Sequence, residues 1–143
     1  MNTQKTSHSI FVEWCDYLEN QPDQWGVRRF AAGGGTVWRN RAMREFFAPL
    51  GILPSPTLAW SVAITYLPAS DLQLLRAAYR SAFLGRLAVA YFDVVAPAAV
   101  IRAVITFRAV QGNLRHGVII THLLPVSAAA CSLCANWRPA LLE

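Results

Sequence analysis

The sequence predicts a single α+β domain, and three observations lead there. Residues 100–110 (VIRAVITFRAV) alternate with a period of two. Residues 70–84 carry their apolar side chains at helical spacing. Prolines and glycines fall between these segments rather than inside them. A mostly antiparallel sheet of about four strands, packed with three or four helices, is a common layered solution for that pattern. At 143 residues the chain has the length of one domain.

Taken in order, residues 1–8 are polar. Phe11, Trp14, Cys15 and Leu18 then share one helical face, with Glu13, Asp16 and Glu19 opposite. This predicts an amphipathic helix, ended at 20–23 by Asn-Gln-Pro-Asp. Residues 27–31 suit a short strand. The triplet Gly33, Gly34, Gly35 is a turn, since residues without Cβ take positive φ at no steric cost. Residues 37–48 then read as a helix with Thr36 or Asn40 as its cap, stopped by Pro49 and Gly51.

A proline-rich loop follows at 49–57. Residues 58–67 (LAWSVAITYL) are β-branched and aromatic and predict a strand, with Trp60, Val62, Ile64 and Tyr66 on one face. Ser70 and Asp71 begin the helix at 70–84. Leu72, Leu75, Ala78, Tyr79 and Ala82 form its apolar side, and Gly85 ends it. From 86 onward the period changes. Within 100–110, Arg102 and Arg108 share a face as a strand but not as a helix, which decides for strand. With 87–95 before it and 118–124 after it, joined through Gly112 and Asn113, residues 86–124 predict an antiparallel meander. Residues 128–137 suit a short closing helix.

The composition admits a competing architecture. Apolar residues make up 55% and charged residues 15%, greasier than soluble domains usually are. Residues 117–137 and 46–70 carry no formal charge, and 81–101 carry just Arg86 and Asp93. An all-α membrane protein with three spans is the alternative, with its arginine-rich segments on one side. Four prolines in the first span and two charges in the second weigh against it.

Charge points to an anionic partner. Lys5 stands against Glu13, Asp16, Glu19 and Asp23 in residues 1–23, whereas residues 24–143 hold twelve arginines against Glu45, Asp71, Asp93 and Glu143. Guanidinium forks suit phosphate and stack on rings. Trp25, Arg28, Arg29, Trp38, Arg39, Arg41 and Arg44 interleave rings with cations, as a surface engaging nucleic acid or another anionic macromolecule would. Gly33, Gly34, Gly35 and Thr36 are placed to bind an anion through backbone N–H groups if a helix follows them. A plain turn is the simpler reading, because the spacing matches no phosphate-loop motif.

Cys131 and Cys134 form a C-x-x-C beside Ala128–Ala130, which reads as a pair of buried, reduced thiols rather than metal ligands. The histidines His116 and His122 do not complete a known finger spacing. No paired carboxylates stand out, so the sequence predicts binding rather than chemistry, with no cofactor and no metal. A small-ligand or enzymatic pocket under the sheet near Asp93 and His122 is the third reading. Three cysteines make no disulfide framework and the N-terminus lacks a signal-peptide apolar core, so a cytoplasmic setting is expected, the inner membrane being the location that goes with three spans.

Overall fold

A computed structural model describes residues 6–126 and 140–142. Its centre is one sheet, all of whose strand pairs are antiparallel. Strands β1 (Gln24–Arg29), β2 (Thr36–Arg39), β3 (Thr57–Ala59), β4 (Ala88–Val95), β5 (Val100–Gly112), β6 (Gly117–Pro125) and β7 (Ala140–Leu142) lie in the order β3-β2-β1-β6-β5-β4-β7. Four α-helices accompany it: α1 (Ser7–Leu18), α2 (Arg41–Phe47), α3 (Trp60–Ala63) and α4 (Leu72–Phe83). The α+β expectation holds, with seven strands rather than about four. The described parts of the three stretches read as membrane spans, 46–70, 81–101 and 117–126, fold instead into these strands and short helices. No described helix is long and apolar enough to cross a membrane.

The meander forms as its alternation dictates. Ala103 and Phe107 are buried on one face of β5, and Ile101, Ile105 and Ala109 pack beside them. β5 pairs with β4 through Ala103↔Phe92 and with β6 through Phe107↔Thr121. A register shift between Ala109 and Gln111 marks a bulge. The turn into β6 is fixed at both ends. Gly112 has φ 80° and a Cβ there would lie 2.0 Å from the His116 carbonyl oxygen, while Asn113 Oδ1 accepts from the N–H groups of Arg115 (2.9 Å) and His116 (3.1 Å).

The two faces of the sheet carry separate cores. Beneath the inner face lie α2, α3 and α4; Leu75, Ala78, Tyr79 and Ala82 of α4 pack on Ala88, Ala90, Phe92, Phe107 and Ile119. On the outer face α1 lays Phe11, Cys15 and Leu18 over Val27, Trp38, Val118 and Ile120. Each fully buried large apolar side chain contributes about 1.5–3 kcal/mol, so both layers are substantial.

Two expectations are corrected. The stretch at 37–48 is not one helix: β2 occupies its start, and Asn40 turns the chain into α2, its Oδ1 accepting from Met43 N–H at 3.0 Å. The glycine triplet therefore closes a hairpin between β1 and β2. Gly33, Gly34 and Gly35 have φ of 80°, 105° and 75°, and a Cβ on Gly35 would sit 2.1 Å from the Arg29 carbonyl oxygen. The stretch at 58–67 is a strand just as far as Ala59. There the chain leaves the sheet edge, and α3 and a 3-10 turn carry Trp60 and Tyr66 beneath the inner face. Local β-propensity yields here to a connection that must cross under the sheet.

Cys131 and Cys134, and the helix expected at 128–137, lie outside the described residues.

Candidate ligand cavity

Strand parity decides where the arginines go. Successive side chains on a strand point to opposite faces. In β1, Trp25 and Val27 face outward while Gly26 and Arg28 face inward; in β2, Trp38 faces outward while Val37 and Arg39 face inward. Gly26 pairs with Arg39 and Arg28 pairs with Val37, so the two inward arginines are diagonal neighbours on adjacent strands.

Both border a cavity of about 150 Å³ between the inner face and the helices. Its other walls are apolar or aromatic and include Met43, Phe47, Leu58, Trp60, Phe92 and Phe107. Tyr66, Tyr79 and Thr121 are the remaining polar residues of the lining. Gly26 forms part of the floor, where an added Cβ would approach Thr121 Oγ1 to 2.7 Å.

Arg28 is 4% exposed. Its guanidinium lies 4.1 Å from the centre of the Trp60 ring and 4.3 Å from that of Phe30. One Nη donates to the carbonyls of Arg29 and Thr36, and the head lies 6.0 Å from the centre of the Tyr79 ring. Its Nε–H has no partner among the described residues. Arg39 is 6% exposed. Its Nη2 donates to the carbonyls of Leu53 and Ser55, the latter at 2.6 Å, and its Nε and Nη1 have no partner among the described residues.

Among the described residues no carboxylate lines the cavity. Burial lowers the pKa of both arginines, and for Arg39 the nearby Arg44 cation lowers it further. Burial also pushes the Tyr79 hydroxyl up to about 12, against the pull of Arg28. Cation–π contacts return part of the desolvation cost of Arg28, about 0.5–2 kcal/mol each, but a buried cation short of hydrogen-bond partners is costly unless an anion joins it.

The fold places the other named residues elsewhere. Trp38 is buried under α1. Trp25 stacks on His122, ring centres 4.3 Å apart. Arg44 pairs with Glu19 at 2.9 Å and also donates to the Arg39 carbonyl. Arg29 is half-buried, and Arg41 is exposed at the start of α2. Gly33, Gly34, Gly35 and Thr36 lead into β2, not into a helix, so no helix N-terminus stands behind them. Asp93 and His122 lie on the outer face, Asp93 opposite Arg102 and His122 opposite Trp25, so the cavity is under the other side of the sheet from them. His116 is exposed in the β5–β6 turn.

No family matches the sequence, and no curated protein matches it. Solved structures do match in shape. A sensory box histidine kinase/response regulator from Burkholderia thailandensis E264 superposes with a TM-score of 0.52 at 8% identity, covering 86% of each chain. The fold resembles that of a sensory box. An RNA-binding light-oxygen-voltage receptor superposes with a TM-score of 0.49 at 19% identity over 80% of this chain, which spans 30% of the receptor's length. The sensory-box likeness is one of fold, and the site rests on this chain's own residues.

Sequence reading named Arg28 and Arg39 but expected them on a surface. It missed Trp60, Tyr66 and Tyr79 as cavity walls. Tyr79 was legible as the large residue on the apolar side of α4. Trp60 and Tyr66 were hidden by the strand-like pattern around them.

Proposed function

We propose that this protein is a small-molecule-binding sensory-type domain, and that its ligand is an anion with a compact apolar body. One observation carries the reading: two buried arginines with unpartnered N–H groups border a mainly apolar cavity with no carboxylate among its described lining residues. A cavity of about 150 Å³ lined by apolar side chains accommodates a molecule the size of benzene. A carboxylate on such a body reaches a guanidinium while its ring or short chain fills the apolar part. The lining offers no acid–base pair, which supports binding over catalysis. The likeness in fold to a sensory box supports a sensing use for that binding.

On this reading the anionic partner expected from the charge is a small ligand. Nucleic acid engaged through Trp25, Arg28, Arg29, Trp38, Arg39, Arg41 and Arg44 needs those groups on one exposed face, and of the seven Arg41 alone is exposed.

Thermal unfolding with matched ligands tests the proposal. Benzoate should raise the melting temperature in a saturable manner, because a ligand that binds the folded state alone stabilises it by RT ln(1 + [L]/Kd). Benzamide and benzyl alcohol, of similar shape and no charge, should do far less. Equal shifts from the neutral compounds, or a shift from a single-stranded oligonucleotide and none from small carboxylates, would overturn it.

A further inference from the structure

We infer that one end of the molecule docks on an anionic membrane surface. None of the residues at this end lines the cavity. Two turns lie side by side at this end, the one between α4 and β4 and the one between β5 and β6. Arg80, Phe83 and Leu84 line a shallow depression together with Asn113, Leu114 and Arg115. Leu84 is 73% exposed, Leu87 64% and Leu114 44%. Arg80 and Arg115 line the same depression, Arg86 lies between Leu84 and Leu87 in the chain, and all three arginines are exposed as well.

The turns present these leucines rigidly. Gly85 N–H donates to the Ala82 carbonyl (3.0 Å) and Arg86 N–H to the Ser81 carbonyl (3.3 Å), which turns Leu84 and Leu87 outward. The Asn113 side chain holds the other turn around Leu114. A tip fixed in this way binds without first losing loop entropy.

Charge selects the partner. The sequence has no acidic residue between Asp71 and Asp93, nor between Asp93 and Glu143. Among the described residues neither turn carries a carboxylate. Glu13, Asp16, Glu19 and Asp23 belong to α1 and the segment after it; α1 begins beside the β5–β6 turn, where Ser7 bonds Gln111, and runs away from it towards Arg44.

A bilayer uses both features at once. Leucine side chains enter the headgroup–acyl boundary, while arginines stay at the level of the lipid phosphates. Each basic residue near an anionic leaflet adds to the attraction. Nucleic acid would engage the arginines but leave three leucines without a partner.

Sedimentation with vesicles tests the inference. The protein should pellet with vesicles in which about a third of the phosphatidylcholine is replaced by phosphatidylserine, and not with phosphatidylcholine alone, at an ionic strength low enough to leave surface charge unscreened. Replacing Leu84, Leu87 and Leu114 together by Ser should weaken binding at least about tenfold, as should replacing Arg80, Arg86 and Arg115 together by Gln. Arg41→Gln, outside the patch, should bind as the parent does. All the substituted side chains are exposed, so melting temperatures should stay close to the parent's and confirm that the variants are folded. Absence of binding to phosphatidylserine vesicles overturns the inference. So does binding that survives the leucine changes, which would show bare electrostatic adsorption, and so does an equal loss with Arg41→Gln.

Discussion

The two faces of the β1–β2 hairpin share the same ten residues of strand and put them to opposite uses. Outward, Trp38 and Val27 close a dry core under α1. Inward, Arg28 and Arg39 border a cavity whose walls leave some of their donors unmet. The outer face is chiefly apolar packing, with Arg29 Nε an unmet donor there, whereas the inner face leaves Arg28 Nε and both Nε and Nη1 of Arg39 unmet. Saturated packing builds stability, whereas an unmet buried cation stores affinity for a ligand at the expense of stability. Substitutions on the two faces should therefore separate folding from binding.

The largest effect belongs to the outer face. Trp38→Ala should destabilise by about 3–5 kcal/mol, the usual cost of emptying a core of a large aromatic, read from the urea midpoint. Arg28→Met removes a buried cation of comparable burial and should change stability by no more than about 1 kcal/mol, because the lost hydrogen bonds are offset by lost desolvation cost. It should nevertheless abolish the benzoate shift. If both variants unfold to the same degree, the distinction between the faces is lost.

Next comes the residue that ties the faces together. Asn40 is fully buried; its Oδ1 accepts from Trp25 N–H as well as Met43 N–H, and its Nδ2 donates to the carbonyls of Leu18 (3.0 Å) and Asp23 (2.8 Å). Asn40→Ala strands these groups and removes a helix cap, so a loss of about 2–4 kcal/mol is expected in the same assay.

Alkaline pH sharpens the contrast in a graded way. Cys15 on the outer core is pushed up to about 12 by burial, with Asp16 and Glu19 adding to it, and Tyr79 on the inner core is pushed up to about 12 by burial. Both are neutral in the folded protein and ionise sooner when unfolded, near their ordinary 9.0 and 10.0. The stability they hold is complete below those values and is lost as pH rises from about 9 towards 12. Denaturation midpoints across that range should fall, and Tyr79→Phe should flatten the part above about pH 10.

The smallest effect is on the surface. Arg44→Gln breaks the partly exposed pair with Glu19 and should cost less than about 1 kcal/mol, since such pairs are solvent-screened.

How much of this was legible in the sequence follows from which interactions are local. The alternation of Ile101, Ala103, Ile105, Phe107 and Ala109 specified β5 and its inner face outright. The apolar side of α4, from Leu75 to Ala82, was equally plain. Gly112 and Asn113 named their turn. Residues 58–67 misled because Trp60 and Tyr66 leave the sheet to line a cavity, and that choice depends on strands distant in sequence. Arg28 and Arg39 misled more instructively. An arginine in a sequence is expected at the surface, and burial of two becomes visible when β1 and β2 are paired and the parity of each is counted from the glycine hairpin. Trp38 follows the same count to the other side.

The side-chain N–H signals of the arginines test the central claim most directly. In a ¹H–¹⁵N spectrum followed during a benzoate titration, the Nε–H peaks of Arg28 and Arg39 should move together and saturate, while the Trp38 indole peak stays in place. Movement confined to the exposed Arg41 and Arg76, with Arg28 and Arg39 unchanged, would contradict the account.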